Sequence, residues 1–189
     1  LEREDPEGSE SVTIASGFGF RLFWDSTKGG FFPFDGVSAE VTTRLFREEI
    51  GSSSDYGLMT IDGRGYLNTF FSHVAALQIL YQSSLGEPPL QMLPSLGGEQ
   101  TMRGYYNKRY RDKTALSARV EYRAPLTGRI GLVGFYSIGQ VGESFDALSW
   151  EHVKMAYGGG LRITLQKKLR LNLRIDVAFS EDGVFPYVD

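Results

Sequence analysis

The 189-residue sequence offers little for redox or imidazole chemistry. It contains no cysteine, which excludes disulfides, zinc ribbons, iron–sulfur clusters and thiol catalysis. Two histidines, His73 and His152, are too few for an imidazole-based metal site, and only a carboxylate site stays open by composition. No metal ligand set is read from the chain, and no cofactor is implied. His152 stands near Asp146, Ser149 and Glu151, and Ser137 precedes them, so the residue types of a Ser–His–acid triad are present. A triad needs hydrogen-bond geometry that spacing does not supply, and Ser, Asp and Glu are ordinary loop residues. The sequence is therefore not read as that of an enzyme. A second cluster runs through Met102, Arg103, Gly104, Tyr105 and Tyr106 to Lys108, Arg109, Tyr110, Arg111 and Lys113, with Asp112 its one acid. A basic, aromatic strip can meet anionic lipid headgroups or nucleic acid. Twenty basic against 23 acidic groups give a net charge of −3, which argues against nucleic acid. Glycine at 104 allows positive φ or close backbone approach, and a guanidinium planted in an interior needs carboxylate partners.

The elements that must position these residues are legible from a period of two. Between Val12 and Trp24 the even positions are Val12, Ile14, Ser16, Phe18, Phe20, Leu22 and Trp24, while the odd positions include Gly17, Gly19 and Arg21. Similar alternation places Val37, Val41 and Leu45 opposite Glu40 and Arg44, and Met59, Ile61 and Leu67 opposite Asp62 and Arg64. Leu77, Ile79 and Tyr81 oppose Gln78 and Gln82; Leu116, Val120 and Tyr122 oppose Arg119, Glu121 and Arg123. Ile130, Leu132, Tyr136 and Ile138 face away from Val133, Phe135 and Ser137. Met155, Tyr157, Leu161 and Leu165 oppose Lys154 and Arg162, and Leu169 to Phe179 oppose Arg170, Asn172, Arg174 and Asp176. Eight long segments emerge, and Gly183 to Asp189 begins a possible ninth. The connections Arg123 to Gly128 and Gln166 to Lys168 read as tight turns, so neighbours pair antiparallel. No helix longer than a turn is expected.

A strand of twelve residues is about 40 Å long, and tilted by about 45° it crosses a hydrocarbon layer of roughly 25 to 30 Å. No apolar run reaches the length of a membrane helix, and the first ten residues carry no signal-peptide pattern. A soluble up-and-down barrel would turn the apolar parity inward; a membrane barrel turns it outward and fills the lumen with the charged parity. One parity is uniformly large and apolar, and many of the 23 glycines fall on the other or in turns, which favours the membrane barrel. Aromatics near segment ends, among them Trp24, Phe31, Phe70, Phe71, Tyr157 and Phe179, suit interfacial girdles. His73, at the start of a segment, reads as interfacial rather than catalytic. The expected fold is an all-β antiparallel transmembrane barrel of about eight strands, or part of a larger barrel of up to sixteen. Residues 1–11 form a polar segment, and residues 12–189 form the barrel with a long loop at 83–112.

At Met102-Arg103-Gly104-Tyr105 the chain resembles the BamA/TamA outer-membrane barrel superfamily, the bacterial surface antigen barrels. The sixth extracellular loop of that family carries an apolar-Arg-Gly-aromatic tetrad and folds back into the lumen. Trp24-Asp25-Ser26-Thr27 with Phe32-Pro33-Phe34-Asp35-Gly36 is similar to the family's periplasmic turn, marking Asp25, Pro33 and Gly36. Glu121-Tyr122-Arg123-Ala124-Pro125-Leu126 is similar to the end of the strand after the tetrad loop. Glu121, on the charged parity of that strand, is the expected partner of Arg103. The family's next strand carries Phe-x-Asp-x-Gly, but here Phe135-Tyr136-Ser137-Ile138-Gly139 puts Ser137 at the acidic position. Asp62 and Asp176 are the candidates to replace it. The resemblance implies the C-terminal barrel, a bacterial outer-membrane location, and insertion or translocation of outer-membrane proteins or lipids. Implied partners are outer-membrane lipid and client outer-membrane proteins. The alternatives are a structural plugged barrel or membrane anchor without transport, and a lipid-active barrel enzyme. With the tetrad loop extracellular, nine segments leave the termini on opposite sides, whereas bacterial barrels close with an even number. That leaves eight strands with a loose tail or a piece of a longer barrel; the family's periplasmic repeats do not fall within these residues.

Overall fold

The structure is a computed structural model that describes residues 13–166 and 171–189. Its long strands are β1 (Gly17–Asp25), β2 (Gly36–Phe46), β3 (Tyr56–Asn68) and β4 (Val74–Gly86). Two short strands follow, β5 (Ser95–Leu96) and β6 (Tyr110–Arg111), and then β7 (Thr114–Thr127), β8 (Ile130–Gly142), β9 (Lys154–Gln166), β10 (Leu171–Ser180) and β11 (Gly183–Val188). All pairing is antiparallel, in a nine-stranded sheet of order β1-β2-β3-β4-β7-β8-β9-β10-β11 and a separate pair β5-β6. Helical structure among the described residues is confined to four three-residue 3₁₀ turns. No helix among them is long and apolar enough to cross a membrane, which says nothing of strands.

Register turns eight separate alternations into two continuous faces. Leu22 pairs with Val41, Val41 with Ile61, Ile61 with Tyr81 and Tyr81 with Leu116. Further round, Val120 pairs with Tyr136, Tyr136 with Tyr157 and Tyr157 with Phe179. Since paired residues point to the same side, the whole apolar parity lies on one face. That face carries Phe18, Phe20, Leu22, Leu77, Ile79, Leu132, Tyr157 and Leu161, all exposed. A contiguous apolar surface of this extent is unstable in water and is the surface a bilayer covers. The opposite face holds buried Phe135, Ser137, Ala156, Arg162, Asp176 and Ala178.

The strand count is the first correction. Nine strands pair where about eight were expected, because Gly183–Val188 is bonded to β10 from Ile175↔Val188 to Ser180↔Gly183 rather than hanging as a tail. Pro186 interrupts its pattern, yet β11 ends the sheet order, where one neighbour's bonding is not required and proline is tolerated. Among the described residues β1 and β11 do not pair, so a closed ring is not what the structure shows. A second correction concerns turns. Strand β7 continues through Pro125 to Thr127, with a register shift there, and the reversal is made by Gly128 and Arg129. The long loop is also shorter than expected, since β4 runs to Gly86 and β6 pairs with β5 inside the loop. Two expectations, the polar segment 1–11 and the turn through Lys167 and Lys168, lie outside the described residues.

Candidate functional site on the buried face

The loop between β4 and β7 turns on its glycines. Gly97 and Gly98 both have positive φ, +106° and +87°. Gly98 bridges Met102: the Met102 amide donates to the Gly98 carbonyl at 3.0 Å, and the Gly98 amide to the Tyr105 carbonyl at 3.0 Å. This tight reversal projects Arg103 toward the wall. Gly104 follows at φ +107°, and a Cβ built there would stand 2.9 Å from the Ala156 Cβ. Its amide donates to the Tyr187 hydroxyl at 2.9 Å, and its carbonyl accepts from the Ser180 hydroxyl. The Tyr105 hydroxyl donates to the Met155 carbonyl at 2.9 Å. Met102, Arg103 and Tyr105 are essentially inaccessible. Because Gly104 combines a left-handed φ with a wall contact, Gly104→Ala is expected to destabilise the loop by about 1–3 kcal/mol. Limited proteolysis of folded protein should then cut between residues 97 and 109 faster than in the unmodified chain.

Around Arg103 the sheet assembles charge from three strands and an aromatic ring from a fourth. Its Nη2 donates to Glu121 Oε2 at 2.5 Å on β7, and its Nη1 donates to Asp176 Oδ2 on β10. The guanidinium carbon lies 3.7 Å from the Phe135 ring centroid on β8, so the cation is bounded by an aromatic face. Neither acid serves Arg103 alone. Arg123 Nε donates to Glu121 Oε1 at 2.7 Å, and Arg162 Nη1 on β9 donates to Asp176 Oδ1 at 2.5 Å. Arg174 Nε lies 3.6 Å from Asp176 Oδ2, and Arg174 also pairs with Glu99 of the loop. Charges so far from water are tolerated only in such a mutually bonded set. The wall makes room with glycine: a Cβ at Gly158 would reach within 2.5 Å of Phe135 Cζ, and one at Gly160 would overlap Asp176 Oδ1 at 2.0 Å.

The remaining expected site residues fall elsewhere. Ser137 is fully buried, and its hydroxyl has no hydrogen-bond partner among the described residues, so it makes no bond to Arg103. Register explains this, since Ser137 stands opposite Arg119 and Ala156, one step along the strand from Phe135 opposite Glu121. Asp62 belongs to a separate group on β3, accepting from Arg64 Nη2 at 2.6 Å and from Gln78 Nε2 at 3.1 Å. Asp25, Pro33 and Gly36 do share one turn. Asp25 Oδ1 accepts from the Thr27 amide at 2.7 Å, and Gly36 has φ +104° with no space for a Cβ beside the Ser26 carbonyl. The Pro33 carbonyl accepts from Arg123 Nη1 at 2.8 Å, and Phe32 lies 4.2 Å under the same guanidinium. This turn therefore touches the charge cluster through Arg123 and Glu121. Phe135, Arg162 and Arg174 were not anticipated; a large ring on an otherwise small or polar parity was the signal available for Phe135.

The outer end of the loop is held by exposed pairs. Arg109 Nε donates to Asp182 Oδ2 at 2.9 Å, and Glu181 accepts from Lys154 at 2.6 Å and from the Tyr110 hydroxyl at 3.1 Å. The Lys154 ammonium, with help from the Tyr110 hydroxyl, holds the Glu181 carboxyl below its ordinary range. His152 Nδ1 lies 3.2 Å from the Ser149 hydroxyl, but no carboxylate bonds His152 among the described residues, so a triad is not assembled. His73 Nδ1 contacts the Tyr122 hydroxyl at 2.7 Å near the opposite strand ends. No group of His, Cys, Asp or Glu able to hold a metal occurs among the described residues.

Residues 5–183 match the family model described as the Omp85 superfamily domain. No curated protein sequence gives a significant match. Among solved structures the chain is similar to BamA from Haemophilus ducreyi lacking POTRA domains 1–3, with a TM-score of 0.67 and 17% identity. That alignment covers 89% of this chain and 40% of the other, so the chain spans less than half of that protein, and at this identity the likeness is one of fold. The chain belongs to the Omp85 superfamily and is a protein of the bacterial outer membrane.

Proposed function

We propose that this chain forms the C-terminal part of an Omp85-type barrel that inserts or translocates outer-membrane proteins, and that the loop bearing Met102 to Tyr105 is latched in the lumen for that task. The observation that carries the reading is the burial of Arg103 between Glu121, Asp176 and Phe135. A loop needed only to cover a rim would not require a guanidinium desolvated against two carboxylates from different strands. Asp176 takes the acidic role that Ser137 cannot, and the turn at Asp25, Pro33 and Gly36 supports Glu121 through Arg123. Membership of the superfamily and the outward apolar face support membrane lipid and client outer-membrane proteins as partners.

Arg103→Ala is expected to lower the temperature at which the heat-resistant folded form is lost on a detergent gel, and to slow client assembly about tenfold or more. Unchanged migration together with unchanged client assembly rules the proposal out. A second reading, a plugged barrel or anchor without transport, draws support from the fully buried tetrad. It anticipates neither conductance nor client insertion from vesicles carrying the full chain, while Arg103→Ala still loosens the fold. The lipid-active enzyme reading has only the Ser149–His152 contact behind it; His152→Ala leaving lipid turnover unchanged would remove it.

A further inference from the structure

The loop joining β8 to β9 has no part in the lumen cluster, and its apolar residues are directed the other way. Oriented with its nitrogen toward the Ser149 carbonyl and its oxygen toward the Ser149 amide, the Gln140 side chain makes both bonds at 2.6 Å. Gln140 pairs with Leu116 and so belongs to the apolar face, which means that the loop is clamped against the outside of the wall. The Phe145 ring packs edge-on against Tyr81 of that face at 6.1 Å. Between loop and wall lies a cavity of about 400 Å³. Ile79, Leu116, Ala118 and Ile138 line it from the wall, and Phe145, Leu148, Trp150 and Val153 from the loop.

We infer that this groove holds one acyl chain of a membrane lipid. Its floor is continuous with the surface already assigned to the bilayer, so hydrocarbon reaches it without leaving the membrane. Its walls are mainly apolar side chains, with Ser117, Gln140 and Ser149 the polar residues among those that line it, and its volume lies within the range of small-ligand sites, roughly 300–1,000 Å³. Trp150 and Phe145 stay 85% and 61% exposed beside it, amphipathic or aromatic side chains of the kind found at the headgroup boundary. A lipid annulus slides past a smooth wall; here a loop fixed by Gln140 and Tyr81 encloses the chain from the side, which lengthens its residence.

The sequence supplies its own reference, because its two tryptophans are Trp24 and Trp150. Trp24 stands on the same outward face, 59% exposed, and reads ordinary annular lipid. The full chain carrying W24F or W150F is reconstituted in nanodiscs with increasing fractions of phosphatidylcholine brominated on its acyl chain. Trp150 is expected to be quenched about threefold more steeply than Trp24 at low bromolipid fraction, the signature of a preferred site. Ala118→Phe, which fills the groove from the wall, is expected to abolish the difference. Leu148→Ala, which opens the groove from the loop, reduces it and serves if Ala118→Phe fails to insert. Equal quenching of both tryptophans, as annular lipid alone or a protein segment in the groove would give, overturns the inference. A preference for Trp150 that survives both variants also overturns it.

Discussion

Asp176→Asn is expected to cost about 3–5 kcal/mol of folding stability, more than the loss of Arg103 itself, because it leaves buried charge uncompensated. Asp176 accepts from Arg103 and Arg162 and stands 3.6 Å from Arg174, so three guanidinium groups share one carboxylate. Removing its charge leaves them facing one another in a region where Asp176 and Arg103 are hidden from water. Losing Arg103 is milder, because Glu121 keeps Arg123 and Asp176 keeps Arg162. The measurement is the urea midpoint for refolding into lipid vesicles, followed by gel migration, with Asp176→Asn less stable than Arg103→Ala. The reverse order would mean that Asp176 is not the hub of the cluster.

The second large effect belongs to a residue without a side chain. Gly158→Ala is expected to destabilise by about 1–3 kcal/mol through overpacking. A Cβ there would meet the Val177 carbonyl at 2.2 Å and the tip of Phe135 at 2.5 Å, and only the ring has freedom to move. Shifting Phe135 uncovers Arg103, so the loop should also become more accessible to protease. Gly134→Ala is the matched control: it lies on the neighbouring strand, and its Cβ would meet nothing within 4 Å. That variant is expected within about 0.5 kcal/mol of the unmodified protein. Equal effects at the two glycines would argue against a sterically defined lumen.

What could be read from the sequence and what could not divide along a physical line. Side chains alternate in any strand, so the faces of Leu22, Tyr136, Glu121 and Asp176 follow from local pattern alone. Which of them meet depends on register, and register is set by turns and by where each strand begins. Ser137 and Asp62 share the charged face with Glu121 yet make no hydrogen bond to Arg103, while Asp176, far along the chain, does. The proline in β11 and the shortness of that strand blurred its alternation, so the pattern marked only the beginning of a ninth segment at Gly183. Phe135 was legible as a parity exception, but its role against Arg103 needed the cross-strand pair Glu121↔Phe135. Alternation puts Gly158 and Gly160 on the same parity as Arg162 and says no more; their meaning lies in the Phe135 ring and the Asp176 carboxylate that occupy the space beside them.

The central claim is that the loop is held to the barrel wall by charge, through Arg103 and Asp176. It is tested most directly by a double-mutant cycle of Arg103→Ala, Asp176→Asn and the pair, read as unfolding free energy in lipid vesicles. Arg103→Ala is expected to cost about 1–3 kcal/mol less in the Asp176→Asn background than alone, because removing one guanidinium there also relieves repulsion from Arg162 and Arg174. Effects that add within about 0.5 kcal/mol would show that the two residues do not interact and would contradict the latch.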